Sequence, residues 1–326
     1  MKAILYKDGY TADELKIGEV ETPSPSSKEI LVRVKAAGVN RADIMQRKGH
    51  YPPPKGASTI LGLEIAGVVE EIGSEVTKWR IGDKVFGLIP GGGYAEYAII
   101  HEDMAMPLPE NLNMAEAAAI PEVFLTAYQS VIYYGRIQKG ETALIHAGAS
   151  GVGTAAIQIA KLLEAHIIIT ASKEKHEACF NIGAEKAIDY KHEDFYDEVV
   201  KFTGGNGVDL IIDFIGAPYL QKNINCLKTD GRLVMLSLLG GSKVKELDLR
   251  NMIGKRLSII GSALRSRSLE YRTNLVREFS SFALEKFKSR KLVPVIDKIF
   301  DWKDVSEAHK RIEANKNIGK IILEID

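Results

Sequence analysis

The first hundred residues alternate between apolar and polar positions in short runs. Clear examples are "KAILYK", "EILVRVKAAGV", "LEIAGVVEEIG" and "YAEYAII", which are separated by Gly, Pro and Asp. Alternation with a period of two is typical of half-buried strands, and the intervening residues are turn formers. Short strands at this spacing predict an antiparallel, barrel-like β domain.

The pattern changes near Asn113, where the spacing to Glu116 predicts a helix capping box. From Glu141 onward, apolar runs alternate with helical periodicity. Six strands are predicted, at "TALIHA", "HIIITA", "EKAIDY", "VDLIIDFIG", "RLVMLSL" and "LSIIGSAL". Strands joined by helical crossovers predict a doubly wound parallel sheet of the Rossmann type. The tail returns to a β–α–β pattern, and we expect it to rejoin the first domain.

The turn in "TALIHAGASGVGTAAIQIAK" lies between a predicted strand and a predicted helix. On the G-x-G-x-x-G pattern, Gly148 takes the first place, Ser150 the second and Gly153 the third. Small residues let backbone N–H groups at a helix start approach a pyrophosphate, and the Ser150 hydroxyl can also donate to phosphate. We therefore predict a nucleotide site. The alternative interpretation is a tight strand–helix turn without a ligand.

The end of the second predicted strand bears on the choice of nucleotide. An NAD site usually has an acid at this position, about 20 residues beyond the turn. This chain has Thr170, Ala171 and Ser172 there, followed by Lys173 and Lys175. Hydroxyl and ammonium groups can contact a 2′-phosphate, so the sequence favours NADPH. Glu174 argues against this choice, and the lysines could simply begin a solvated helix.

Composition narrows the class of protein. The 326 residues contain 43 Lys plus Arg and 43 Asp plus Glu, giving a net charge of zero. Nucleic-acid and membrane-surface proteins normally carry a basic excess, so neither partner is expected. The two cysteines, Cys179 and Cys226, exclude a disulfide framework and an all-cysteine metal site. The chain shows no signal-peptide pattern and no membrane-length apolar run, so we expect a cytoplasmic protein.

The glycine turn with its helix, "HAGASGVGTAAIQIAK", resembles the signature of the zinc-independent quinone oxidoreductases of the medium-chain dehydrogenase/reductase superfamily. The resemblance to their p53-inducible subgroup extends along the chain through "NRADIMQRKGHYPPPKGAS", "ILGLEIAG", "IPGGGYAEY", "AAAIPEVFLTAY", "LRSR" and "EANKNIGKI". It implies a GroES-like, mostly β catalytic domain at 1–120 with a returning tail at 291–326. It also implies a Rossmann NADP-binding domain at 121–290, NADPH as cofactor, and a homodimer.

The resemblance also implies roles for individual residues. Tyr51, Asn40 and Asp43 match polar residues of the nicotinamide and substrate cleft. Without the family match, Tyr51 would be read as a loop aromatic held by the prolines that follow it. The residues that match the family's cofactor contacts are Thr126, Gly148, Ser150, Gly151, Val152, Gly153, Ser172, Lys175, Tyr190, Leu238, Ser262, Ala263, Leu264 and Asn317.

Zinc-dependent members of the superfamily have a Cys, a His and a second Cys at three places that here hold Asn40, Leu63 and Glu122. Leu63 has no donor atom, and the four-cysteine structural zinc lobe is also missing. Catalytic zinc needs three protein ligands and an open position. We therefore predict no metal site. The lack of a Lewis acid argues against alcohol oxidation and favours an acceptor that takes hydride readily.

The predicted function is NADPH-dependent reduction of small ortho-quinones without zinc. An NADPH-dependent enoyl or alkenal reductase is the alternative enzyme, since it shares the fold and the hydride chemistry. The alternative of another class is a non-catalytic NADPH-binding protein, crystallin-like or RNA-binding, although the neutral charge disfavours RNA.

Overall fold

The computed structural model describes all residues from 1 to 326, and the chain folds into two compact units. The first unit contains Met1–Leu125 and Arg265–Asp326, and the second contains Thr126–Leu264. The domain boundaries at 120 and 290 stay a prediction. No helix combines the length and apolar character needed to cross a membrane.

The first unit is built mainly from antiparallel strands. Its strands are β1 (Lys2–Leu5), β2 (Lys16–Glu19), β3 (Glu29–Val39), β4 (Glu64–Ile72), β5 (Lys84–Leu88), β6 (Tyr97–His101), β7 (Ala105–Pro107), β14 (Ile296–Asp301) and β15 (Lys320–Glu324). The main sheet has the order β14-β15-β3-β4-β5-β7, and β6 also pairs with β3. Only the β14–β15 pair is parallel. The predicted GroES-like β domain is confirmed.

The long strand β3 organises this sheet because it pairs with three others. Ile30, Val32, Val34 and Ala36 are completely buried, as the period-two pattern requires of one face. The returning tail adds β15 antiparallel to the end of β3, with Ile321 opposite Val39. Residues near the two ends of the chain therefore meet in one sheet.

Helices flank the sheet of the first unit. They are α1 (Arg41–Arg47), α2 (Met114–Ala118), α9 (Leu269–Lys288) and α10 (Val305–Glu313). The predicted capping box begins α2: the Glu116 N–H donates to Asn113 Oδ1 at 2.8 Å, and the Asn113 N–H donates to Glu116 Oε2 at 2.9 Å. The helix α3 (Pro121–Tyr128) contains the boundary between the two units.

The second unit is a parallel sheet with helical crossovers. Its strands are β8 (Thr142–Ile145), β9 (His166–Ala171), β10 (Lys186–Asp189), β11 (Val208–Asp213), β12 (Leu227–Met235) and β13 (Ser258–Gly261). Its helices are α4 (Gly151–Leu162), α5 (His176–Ile182), α6 (Phe195–Phe202), α7 (Leu220–Cys226) and α8 (Arg250–Gly254). The strand order β10-β9-β8-β11-β12-β13 is that of a Rossmann fold, so the predicted six-stranded sheet is confirmed.

The apolar runs of these parallel strands fill the core of the second unit. Leu144, Ile168, Ile211 and Leu233 come from four neighbouring strands and are completely buried. Near-continuous apolar strands are expected where helices cover both faces of a sheet. The chain order reverses between β8 and β11, and ligands of such sheets bind beyond the carboxyl ends of the strands at that point.

Candidate active site

The glycine turn follows β8 at this switch point. Ala147 adopts a left-handed backbone with φ of 49°, which lets the chain reverse before α4 begins. A Cβ at Gly148 would lie 2.6 Å from the Ile169 side chain, and one at Gly153 would lie 2.5 Å from the Ala147 carbonyl oxygen. Both positions therefore need glycine for close packing of the turn against β9 and α4.

The start of α4 leaves backbone donors free. The Ser150 side chain caps the helix by accepting from the Gly153 N–H at 3.1 Å. The N–H groups of Gly151 and Val152 donate to no protein atom, and both residues are partly exposed. Free N–H groups at a helix start bind phosphate oxygens well. This turn therefore fits a dinucleotide pyrophosphate.

The segment after β9, the second strand of the parallel sheet in chain order, combines more kinds of polar group than the sequence indicates. Ser172 is buried, and its hydroxyl donates to Glu174 Oε1 at 2.6 Å. Lys173 is exposed, Lys175 is half-buried, and Tyr190 follows β10 with an exposed ring. Hydroxyl, ammonium and carboxylate groups thus share this end of the sheet. A 2′-phosphate would have to compete with Glu174 for Ser172.

The remaining predicted cofactor residues of the second unit come from three places. Leu238 follows β12 and is half exposed. Ser262 follows β13, and its hydroxyl accepts from Gln129 Nε2 at 2.6 Å. Ala263 and Leu264 come next, and Thr126 lies in α3. Parallel strands place their carboxyl ends on one edge. The glycine turn, Ser172, Tyr190, Leu238 and Ser262 therefore share that edge.

Asn317 belongs to the first unit, in the loop before β15. Its side-chain Nδ2 donates to the Gly319 carbonyl at 2.9 Å. The structure therefore places this predicted cofactor residue in the returning tail. Its role stays a prediction.

The first unit contains a buried ionic cluster, formed by Lys320, Glu64 and Asn40. The Lys320 ammonium donates to Glu64 Oε1 at 2.5 Å, to Asn40 Oδ1 at 2.7 Å and to the Val39 carbonyl at 3.0 Å. Asn40 Nδ2 also donates to Glu64 Oε1 at 2.8 Å. Lys320 is 3% exposed and Glu64 is fully buried. Both charges are thus paired and saturated with hydrogen bonds, as buried charges must be.

The buried ionic cluster includes Asn40, one of the three places at which the family resemblance implies a lost zinc ligand, and the residues present do not fit zinc. The Asn40 amide is fully engaged with Glu64 and Lys320. Leu63 is buried and offers no donor. The chain has no group of three or more His, Cys, Asp or Glu side chains that could hold a metal ion. An ammonium group supplies the positive charge here.

Asp43 is completely buried beside this cluster. Its carboxylate accepts from the Asn40 N–H at 2.7 Å, the Gly62 N–H at 3.1 Å and the Tyr94 hydroxyl at 3.1 Å. Burial raises the pKa of Asp43 to about 6, although these bonds and Lys320 oppose the shift. The carboxylate caps α1 and ties it to neighbouring segments. A direct role in the cleft stays a prediction.

Glu122 was recognised in the sequence only as the replacement of a zinc ligand. It begins α3, its N–H donates to Glu64 Oε2 at 2.8 Å, and its side chain is half-buried. Burial raises the pKa of the Glu122 carboxyl to about 7, and the negative charge of Glu64 adds to the shift. A carboxyl that titrates near neutrality is a candidate functional group. The sequence signal for it was a lone acid after the apolar run "AAAIP".

Tyr51 lies in the loop after α1 and is 36% exposed. The Arg265 guanidinium lies 5.1 Å from the centre of its ring. Burial raises the pKa of the Tyr51 hydroxyl, and the charge of Glu122 adds to this effect. Arg265 occurs in the "LRSR" motif but was not predicted as a site residue. The structure brings Tyr51, Glu122 and Arg265 together within the first unit.

Comparison with known proteins places both units in one family. The family model "Alcohol dehydrogenase GroES-like domain" matches residues 26–110, and "Zinc-binding dehydrogenase" matches residues 151–281. The chain is 31% identical to the quinone oxidoreductase of Homo sapiens, over 94% of this chain and 92% of the relative. It is also 31% identical to the synaptic vesicle membrane protein VAT-1 homolog of Danio rerio, over 97% of this chain and 68% of the relative.

Two solved oxidoreductase structures superpose on the whole of this chain. Escherichia coli quinone oxidoreductase complexed with NADPH superposes with a TM-score of 0.90 at 28% identity, with complete coverage of both chains. The CurK enoyl reductase superposes with a TM-score of 0.88 at 26% identity, covering 100% of this chain and 99% of the other. The chain belongs to the medium-chain dehydrogenase/reductase superfamily, with quinone oxidoreductases among its relatives. It is an oxidoreductase, and the predicted family is confirmed.

The metal content of the purified protein provides a direct check on the buried ionic cluster. We expect zinc far below one equivalent per chain, and activity that survives a strong chelator, because Lys320 takes up the donors that a metal would need. Elemental analysis after gel filtration, with a zinc-dependent alcohol dehydrogenase as positive control, makes the measurement. Stoichiometric zinc combined with inhibition by the chelator would contradict the assignment.

Proposed function

We propose that this protein transfers hydride from NADPH to small quinones without a metal. The observation that carries the proposal is the buried Lys320–Glu64 pair, which engages the Asn40 amide at a place where zinc-dependent members of the superfamily have a ligand. Without a metal ion at this place, the site lacks the Lewis acid that polarises a carbonyl or holds an alkoxide in metal-dependent enzymes. Quinones accept hydride readily because the product is aromatic. They therefore suit this site better than simple aldehydes or ketones.

NADPH supplies the hydride when bound, and this chain supplies binding, orientation and a proton donor. The free N–H groups of Gly151 and Val152 would hold the pyrophosphate at the start of α4. Ser172, Lys175 and Tyr190, at neighbouring strand ends, would hold the 2′-phosphate. Leu238 and residues 262–264 are proposed as apolar and backbone contacts of the nicotinamide, together with Thr126.

In the first unit, Tyr51 is the proposed contact for a planar acceptor. An aromatic ring can stack on a flat quinone, and such contacts add roughly 0.5–1.5 kcal/mol beyond area burial. The Tyr51 hydroxyl is proposed as the proton source for the reduced oxygen. Asn40 and Asp43 are proposed to support the loop that carries Tyr51, because their hydrogen bond fixes the start of α1.

An NADPH-dependent enoyl reductase is the second candidate, and the similarity to the CurK enoyl reductase favours it. Hydride addition to an activated alkene also leaves a negative charge that a tyrosine hydroxyl can protonate. The two functions thus use the same residues. They differ in the acceptor that the site takes best.

We also propose a homodimer formed through the open edge of the parallel sheet. The edge strand β13 is short and partly exposed, and Leu239, Leu249 and Ile253 are exposed apolar residues of the preceding segment. An unpaired edge with apolar residues is a natural pairing surface. Light scattering on the purified chain measures the mass.

The two buried free cysteines are consistent with the proposed cytoplasmic location.

The polar groups after β9 predict a measurable preference of the enzyme for NADPH over NADH. We expect kcat/KM with NADPH to exceed that with NADH about tenfold or more, because charge-assisted contacts to phosphate are worth roughly 1.5–3 kcal/mol. Lys175→Ala should raise the KM for NADPH and leave that for NADH unchanged, and exposed Lys139→Ala serves as the matched control. Equal values for both cofactors would contradict the proposed phosphate contacts, and a preference for NADH would indicate that Glu174 selects a ribose hydroxyl.

Steady-state kinetics test the proposed activity. NADPH oxidation is followed at fixed enzyme concentration with and without 1,2-naphthoquinone, and with boiled enzyme as a blank. We expect saturable oxidation that depends on the quinone. Tight NADPH binding without turnover of quinone or alkenal would support the non-catalytic alternative.

A further inference from the structure

Arg265 is a buried arginine that is held firmly by the first unit. It is 9% exposed. Its Nε and Nη2 donate to the Pro90 carbonyl at 2.9 and 2.6 Å, and Nη2 also donates to Gln46 Oε1 at 2.8 Å. Gln46 is itself buried and donates to the Tyr6 hydroxyl and the Thr59 carbonyl. The plane of the guanidinium is therefore fixed.

The third nitrogen of this guanidinium has no ordinary partner. Arg265 Nη1 is buried and makes no hydrogen bond. A buried N–H without an acceptor costs free energy, and such groups are rare in native proteins. The guanidinium cannot lose its charge to avoid this cost. Its position therefore needs an explanation other than local packing.

The Tyr51 ring lies against the same guanidinium. The ring centre lies 5.1 Å from Arg265 Cζ, within the range of a cation–π contact. Tyr51 still keeps about a third of its surface exposed. The fixed guanidinium thus supports a ring that remains open to a ligand. A loop tyrosine gains a defined position by this contact.

Charges around the pair act on the Tyr51 hydroxyl in opposite directions. Burial and the negative charge of Glu122 raise the pKa of Tyr51, whereas the positive charge of Arg265 lowers it. Arg265 is in turn near the anionic groups Asp43 and Glu122 and the hydroxyl of Tyr6. Arg265 is the only cation among the groups that act on Tyr51, so it is the group that favours a phenolate there.

We propose that Arg265 is the positioning residue for Tyr51: it holds the ring in place and stabilises the phenolate that remains when Tyr51 has given its proton to the reduced quinone. This inference rests on the proposed function. NADPH, when bound, would supply both electrons as a hydride. The Tyr51 O–H bond breaks as the second O–H of the hydroquinone forms, and the phenolate then regains a proton from water.

A double-mutant cycle on kcat tests whether Arg265 and Tyr51 act in the same proton transfer. Arg265→Gln and Tyr51→Phe should each lower kcat with 1,2-naphthoquinone about tenfold, because both remove support for one proton transfer. The double variant should be about as slow as the slower single variant, since residues that act through one step are not additive. Arg265→Lys should recover part of the activity. Exposed Arg277→Gln is the matched control.

The dissociation constant for NADPH and the thermal midpoint are measured for every variant, and both should stay close to the wild-type values. If Arg265→Gln does not fold, Arg265→Lys carries the same comparison, with a kcat below that of the wild type. Full activity in either single variant, or losses that multiply in the double variant, would overturn the proposal.

A spectroscopic measurement separates this inference from the proposed function. Tyrosine labelled with ¹³C at Cζ gives a resonance for Tyr51, assigned by its loss in Tyr51→Phe, whose titration reports the phenolate directly. We expect the pKa of Tyr51 to be higher in Arg265→Gln than in the wild type. An unchanged titration would overturn the inference even if quinone turnover is found. A wild type without quinone turnover would instead reject the proposed function.

Discussion

Replacing Lys320 by methionine should lower the free energy of unfolding by about 3–5 kcal/mol, because it leaves Glu64 as an unpaired charge in the protein interior. Lys320 is the only cation that bonds to the buried Glu64 carboxylate, and it also holds Asn40 and the end of β3. Methionine fills a similar volume, so lost packing contributes little. Urea unfolding followed by circular dichroism and tryptophan fluorescence measures the change.

The control for this variant is Lys316→Met, which removes an exposed ammonium from the same segment. We expect it to change the free energy of unfolding by less than about 0.5 kcal/mol. The double variant Lys320→Met with Glu64→Gln should be more stable than Lys320→Met alone, because both members of the buried pair are then neutral. A Lys320→Met protein as stable as the wild type would show that the pair is not a structural element.

Glu122→Gln should change how stability depends on pH. The folded state raises the pKa of Glu122 from its ordinary 4.5 to about 7, so folding favours the protonated form. The stability that this proton provides is fully present below pH 4.5 and is lost as the pH rises through 7. A shift of this size corresponds to at most about 3 kcal/mol. Glutamine cannot ionise, so the variant should keep that stability at pH 8.

The measurement compares the free energies of unfolding of wild type and Glu122→Gln at pH 5 and pH 8. We expect their difference to move in favour of the variant as the pH rises. Asp43, whose pKa burial raises to about 6, is present in both proteins, and its negative charge adds to the raised pKa of Glu122. Exposed Glu110→Gln is the control. Parallel pH profiles for Glu122→Gln and the wild type would show that Glu122 is charged throughout this range.

Much of the fold could be predicted because it depends on local periodicity. The six parallel strands were evident as apolar runs between turn residues, and the Asn113–Glu116 capping box was evident from its spacing. The glycine turn was predicted from residue size, and the structure adds the physical reason. A side chain at Gly148 or Gly153 would collide with β9 or with the turn itself.

The polar contacts could not be predicted because their partners are distant in sequence. Lys320 meets Glu64 across 256 residues, and Arg265 meets Gln46 across 219 residues. No periodic pattern predicts such pairs. Likewise, the hydrogen bond from Ser172 to Glu174 depends on the side-chain conformations, although both residues are visible in the sequence. The sequence indicated that Glu174 lies near Ser172, but it did not predict the hydrogen bond between them.

We expect this oxidoreductase to reduce quinones in preference to activated alkenes. The most direct measurement compares kcat/KM for 1,2-naphthoquinone and for 2-hexenal with the same enzyme, saturating NADPH and the same buffer. A flat fused-ring acceptor can stack on Tyr51, whereas a linear enal cannot. We predict a clearly higher kcat/KM for 1,2-naphthoquinone, reduced in Tyr51→Ala. A higher kcat/KM for 2-hexenal would contradict the claim and assign the protein to the enoyl reductases.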